Sequence, residues 1–355
     1  MTRTVRALAA LALTLTLGLG FAPRFGSPAQ AADNELVFGG FGGTFQKELE
    51  ATVIRAFEKK YGVKVIYVAG TSAQLNAKVL GNPGNPGIDI IWCTDSSYYI
   101  GRKAGLFAPL DKARIPNLAN LYPFAVYPDG IGVMMGIQAF GIEYNTKVFA
   151  EKGWAAPTSW NDLWDPKYKG HVAAYNLPIG YATVFFSVVA EMTGAKPGNY
   201  EPAWAKIAEF VPNVLTFVNP PAQLDALFAT GGAWIGFNGS ARIGELAGRG
   251  VPVALANPKE GSVLNPNQFV IVKNGPNSDL AHKFIDFALV AEAQHDIAKT
   301  MMLGPVNQNV KLEPEIAATV PYGDAVAKLW AIPQDPINED MTELTQRWTT
   351  VVSKK

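Results

Sequence analysis

The side chain best placed to do chemistry is Asp95, which stands between Thr94 and Ser96 directly after the apolar run Asp89-Ile90-Ile91-Trp92-Cys93. A carboxylate there can accept one ammonium group. It can equally cap the helix that follows, since aspartate and serine satisfy free N–H groups at helix starts. Arg242 comes two residues after Asn238-Gly239-Ser240, in what reads as the first turn of a helix. Its guanidinium offers a two-pronged donor to a carboxylate, unless the side chain turns to solvent. The run Gly39-Gly40-Phe41-Gly42-Gly43 brings bare backbone to another helix start, where free N–H groups can hold an anion or simply make a turn. It is not a dinucleotide fingerprint, because Phe45 stands where the third glycine belongs.

Catalytic chemistry is poorly supplied. His171, His282 and His295 are scattered and no H-E-x-x-H occurs, so clustered metal ligands are not expected. Ser240, in Asn238-Gly239-Ser240-Ala241-Arg242, lacks the glycine two residues on that a nucleophile elbow needs. No catalytic residue, metal or cofactor is expected. Cys93 is the single cysteine, which rules out an intrachain disulfide, and its apolar setting suggests a buried, inert thiol.

These residues need elements to position them. Residues 1–31 read as a cleaved secretory signal peptide: Arg3 and Arg6 begin it, an apolar stretch follows, and Ala29-Gln30-Ala31 ends it. Its removal takes away Arg3, Arg6 and Arg24 and leaves 27 basic against 30 acidic residues, a net charge of −3 with nothing to attract nucleic acid. The remaining chain is longer than one core usually covers, so two domains are expected. Glu35–Phe38, Val63–Val68 and Ile88–Cys93 read as strands. Between them lie a helix with Phe45, Leu49, Val53 and Phe57 every four residues, and a second helix over Ala73–Leu80. Such β-α-β-α-β order gives a parallel sheet, with ligands beyond the carboxyl ends of its strands. Residues 132–144 are extended and suit a crossing between domains. A second set follows: strands at 172–175, 214–218 and 234–237, helices at 181–192 and 222–228, a turn at Asn238-Gly239-Ser240, and a return strand at 269–273.

Gly42-Gly43-Thr44-Phe45-Gln46, the strand Asp89 to Tyr99, Thr158 to Gly170 (TSWNDLWDPKYKG), Phe237 to Ala241 and Gly304 to Asn309 (GPVNQN) occur in an order and spacing that resembles the extracellular solute-binding proteins of ABC importers. The likeness is to the branch containing the spermidine/putrescine-binding proteins, and it covers almost the whole chain after the leader. The resemblance implies an α/β, two-lobed periplasmic binding protein type II fold. Each lobe is then a mostly parallel sheet flanked by helices, and two hinge crossings join them: residues 33–138 plus 268–312 form lobe 1, and residues 141–265 plus 315–355 form lobe 2. It further implies a periplasmic monomer that captures a small-molecule solute and hands it to the membrane permease of an ABC importer.

Polyamine receptors of this branch carry acids where this chain has Asn176 to Tyr181, and a tryptophan and an aspartate where it has Asn265 and Asn267. Phe237 replaces the tryptophan before the N-G-S segment. The ligand-binding set expected here is Gly43, Thr44, Phe45, Asp95, Ser96, Asn176, Tyr181, Phe237, Asn238, Ser240, Arg242, Asn267 and Gln268, with Tyr98 as a possible wall. That inventory suits a small polar or zwitterionic solute: an amino-acid-like, opine-like or aminophosphonate molecule. A polyamine is the alternative. Relatives with amino-acid-like ligands often have arginine directly after the N-G pair, where this chain has Ser240. Adjacent Tyr98 and Tyr99 are poorly arranged for iron. A solute sensor partner and, further off, a hydrolytic enzyme are the readings of another class.

Overall fold

Strand, helix and strand alternate at the start of the chain, and a crossover of this kind returns the second strand parallel to the first. The computed structural model describes residues 34–353, so the expected leader lies outside the described residues. Among those residues no helix is long and apolar enough to cross a membrane. The strands are β1 (Glu35–Gly40), β2 (Lys64–Ala69), β3 (Ile90–Cys93), β4 (Phe107–Ala108), β5 (Gly132–Asn145), β6 (Val172–Tyr175), β7 (Val214–Val218), β8 (Ile235–Gly239), β9 (Val253–Ala256) and β10 (Val263–Val272).

They form one mixed sheet in the order β2-β1-β3-β10-β5-β8-β6-β7, with β4 on β10 and β9 on β5. The three strands at each end run parallel, β2-β1-β3 on one side and β8-β6-β7 on the other. The long strands β5 and β10 are antiparallel to each other and to their neighbours, and they carry the chain across the middle. Two main groups of buried side chains lie on either side of this crossing. One gathers Leu36, Phe38, Trp92, Phe269 and Phe284, with Ile137 of β5 at its edge. The other gathers Phe140, Trp160, Phe185, Phe237 and Trp348.

The four-residue spacing of Phe45, Leu49, Val53 and Phe57 drifts around an ideal α-helix of 3.6 residues per turn. Leu49, Val53 and Phe57 are nonetheless all buried. A π-helical stretch, Glu50–Ile54, separates the α-helical segments Thr44–Leu49 and Arg55–Tyr61, and its wider turn restores the apolar face.

Two local expectations differ from the fold. The return strand, expected at 269–273, begins at Val263: Pro266 lacks the N–H of a ladder residue and reads as a break, but it sits opposite Ile137 next to a bulge at Asn267/Gln268. The turn expected at Asn238-Gly239-Ser240 is absent, because β8 runs through Gly239 and the helix Ser240–Gly248 starts at once. Trp160–Trp164 forms a tight 3-10 helix. Ser159 and Asp162 form its capping box, and both indoles pack with their N–H groups on backbone carbonyls, Trp160 on Gly261 at 3.0 Å and Trp164 on Lys206 at 2.8 Å.

Candidate functional site

The carboxyl end of β3, the turn after β1, the middle of β5 and β10, and the first turns of helices Gly180–Thr193 and Ser240–Gly248 converge on a cavity of about 330 Å³. Phe41 and Phe45 supply an aromatic wall. Their rings pack against Trp92 at centroid distances of 5.1 and 5.5 Å, both near edge-on. Tyr181 faces them from the other core, stacked on Phe140 at 5.8 Å.

Asp95 lines this cavity half-buried, accepting hydrogen bonds from Tyr127 Oη at 3.1 Å and Gln268 Nε2 at 3.3 Å. Burial pushes its carboxyl up to about 6, and the nearby charge of Asp335 adds to the rise, while the Tyr127 and Gln268 donors and Arg102 pull against it. It does not cap its helix: Thr94 is the N-cap residue, and no side chain closes that end. Arg242 lines the cavity from the opposite side. Its Nε donates to Asp225 Oδ1 at 3.0 Å, and Nη2 donates to Asp225 Oδ2. Burial works to lower the guanidinium pKa, but Asp225 outweighs it and holds the group above its ordinary value. The wall therefore carries an anion on one side and, on the other, a charged fork fixed in direction.

Amide side chains fill the space between, and their neighbours settle which way round they sit. Asn267 Oδ1 accepts from the Trp92 indole at 3.2 Å, which leaves Nδ2 as a buried donor without a partner among the described residues. Gln334 Nε2 donates to the Ile332 carbonyl at 3.1 Å and to Ser187 Oγ at 2.9 Å, leaving Oε1 as an unpartnered acceptor. Gln138 Oε1 is likewise buried and unpartnered. It lies so near Gly239 that any side chain there would strike it. An unsatisfied buried polar atom costs about 1–3 kcal/mol. All three belong to residues that line the cavity, with the atoms themselves shut off from solvent.

Of the expected binding residues, Phe45, Asp95, Ser96, Tyr181, Arg242 and Asn267 meet at this cavity, and Gln268 stands directly behind Asp95. The others lie elsewhere. Gly43 holds φ 73° before the helix at Thr44, a conformation that suits glycine, and does not line the cavity. Thr44 points its hydroxyl at Glu245 Oε1, 3.4 Å away. Asn176 accepts from the Trp348 indole at 3.2 Å. Phe237 is fully buried, stacked 4.2 Å from Phe185, and is core rather than wall. Asn238 is fully buried and donates to Glu143 Oε2 at 3.0 Å. Ser240 Oγ accepts from the Ala139 N–H and borders a separate cavity of about 620 Å³. Tyr98 is buried with its hydroxyl on Asp129.

Gln138 and Gln334 line the cavity without having been expected there, while Phe41 comes from the segment 39–45 expected at its mouth. Gln138 had a visible signal, as the one polar side chain between Gly132 and Phe140. Gln334, between Pro333 and Asp335, had none.

A family model described as bacterial extracellular solute-binding protein matches residues 52–322. The chain is 28% identical over 284 residues to the spermidine/putrescine-binding periplasmic protein of Escherichia coli, covering 75% of this chain and 77% of that one. It is 26% identical over 295 residues to the gamma-aminobutyric acid-binding protein of Pseudomonas aeruginosa, covering 81% of each. The crystal structure of an ABC transporter protein from Clostridium perfringens superposes with a TM-score of 0.77 at 28% identity, over 89% of this chain and 99% of that one.

Proposed function

This chain belongs to the bacterial extracellular solute-binding protein family and has its two-lobed periplasmic binding protein type II fold, and from that premise we propose that it captures a small zwitterion whose amine meets Asp95 and whose acid group meets Arg242. One observation carries this reading: a carboxylate and an oriented guanidinium line the same cavity of about 330 Å³. That volume is at the small end of ligand sites, which span roughly 300–1,000 Å³. An ω-amino acid, a compact opine-like conjugate or an aminophosphonate meets both charges, with its carbon chain along Phe41 and Phe45. The relative that binds gamma-aminobutyric acid favours the first of these.

A polyamine is disfavoured by charge balance. Each ammonium taken out of water needs a counter-charge, and Asp95 is the one acid among the described residues lining the cavity. Asp225 is paired with Arg242 and Asp335 with Arg102, so neither is left for a second ammonium.

In this reading residues 1–31 are removed on export. The mature protein then works as a periplasmic monomer with residues 33–138 plus 268–312 as lobe 1 and 141–265 plus 315–355 as lobe 2. The lobes close over the solute because it touches both. The closed form is presented to an ABC permease, and no reaction is catalysed. The test is a thermal-shift screen followed by calorimetry with γ-aminobutyrate, an opine, an aminophosphonate and putrescine. A zwitterion should raise the midpoint by mass action and putrescine should not. Stabilisation by putrescine alone would overturn the zwitterion assignment.

A further inference from the structure

The helix Asp95–Lys103 and the short helix Asp335–Glu339 belong to different cores and face each other beside the cavity. Tyr98 anchors the first: it is buried next to Phe107 and donates to Asp129 at 2.9 Å. The second is anchored by Ile337 in the other core and by Gln334, which holds Ser187. Between them Arg102 Nη2 lies 2.6 Å from Asp335 Oδ2, and Lys103 Nζ lies 3.1 Å from Glu339 Oε1. Arg102 is held from its own side as well, with Nη1 2.9 Å from Asp129 Oδ2 and its guanidinium over the Tyr98 ring at 5.4 Å. Both helices begin at the cavity, since Asp95 starts one and Gln334 immediately precedes the other. Arg102 and Lys103 thus stand about 10 Å along their helix from Asp95, at 1.5 Å per residue, whereas Asp335 directly follows the cavity-lining Gln334 on the other side.

We propose that Arg102, Lys103, Asp335 and Glu339 are positioning residues for solute capture, forming an ionic clasp that biases the cleft toward closure before any solute arrives. The proposal rests on the capture reading above. None of the four lines the cavity. Beyond the field that Asp335 and Arg102 place on Asp95, their effect runs through the closing equilibrium, and a protein whose competent form is only partly populated binds more weakly by that fraction. An exposed pair such as Lys103–Glu339 shifts such an equilibrium by roughly two- to fivefold. Arg102, half-buried and fixed by Asp129, contributes more because its orientation is already set. Together the two rungs should change the closing constant by about tenfold at low salt.

The experiment is solution scattering of the mature protein without solute, at about 20 mM and about 500 mM NaCl, between which the screening length falls several-fold. It compares wild type, Lys103→Glu, Glu339→Lys, the double swap K103E/E339K, and Arg102→Gln. The wild type should be more compact at low salt than at high salt. Either single reversal should give the expanded radius already at low salt, with an unchanged thermal midpoint, and the double swap should restore compaction. Arg102→Gln should expand the protein without any reversal of charge. Equal radii for all five proteins at both salts would overturn the clasp. Compaction by a solute with no swap effect would remove the clasp and leave capture standing. Swap and salt effects in a protein that no solute compacts would support the clasp and sink capture.

Discussion

Asp225 takes two nitrogens of Arg242, seventeen residues further along the chain, and so fixes the direction of the guanidinium at the cavity wall. An arginine left to itself would lose side-chain freedom on meeting a ligand; this one has lost it on folding. Arg242→Lys keeps the charge but not the fork, and should weaken γ-aminobutyrate or a related zwitterion about tenfold by calorimetry. Asp225→Asn should weaken it too, since the cation is no longer held. Unchanged affinity in both would take Arg242 out of the site.

Asp95→Ala should cost an amine-bearing ligand ~2 kcal/mol, the range for a lost charged hydrogen bond. The wild type should show the same loss on acidification. With its folded pKa raised to about 6, Asp95 is an anion above that pH and neutral below it, so affinity falls as pH drops through about 6. A flat profile between pH 5 and 7, at about the ordinary conditions for such titrations, would contradict this.

Phe237→Ala should lower stability by about 3–5 kcal/mol, the usual result of emptying a buried phenylalanine site. Phe45→Ala, at the half-buried cavity wall, should reduce affinity with little change in melting. Denaturant unfolding and calorimetry on both variants separate the two roles.

Glu143 is fully buried in β5, and burial pushes its carboxyl up to about 8, with Asp225 adding to the rise while Asn238 and Arg242 oppose it. The native state therefore keeps a proton that the unfolded chain gives up near its ordinary value. Stability from this group is present at low pH and falls as pH rises from about 4.5 to about 8. Glu143→Gln should flatten that decline, with a higher thermal midpoint than wild type at alkaline pH. Parallel midpoint-against-pH curves would rule it out.

Charges at strand ends were legible in the sequence, because Asp95 and Arg242 each follow an apolar run and open a helix. Register was not. Whether Phe237 or its neighbour faces the cavity depends on how β8 pairs with β5, where Phe237 sits opposite Ile142, and one residue of slip exchanges the two faces. Gln138 was readable as a lone polar residue but lay in a stretch taken for a plain crossing. Gln334 reaches the cavity through packing on Ser187, a partner 147 residues away in sequence. No local periodicity reports a contact of that kind.

Cys93, the chain's single cysteine, ends β3 completely buried, and burial together with Asp95 pushes its thiol well above its ordinary value. Only the thiolate reacts readily, so dyes and spin labels should pass the native protein by. A cysteine introduced at an exposed site on either lobe would then be the one handle a reagent finds, which turns the unaltered scaffold into a ready mount for an optical reporter of cleft movement.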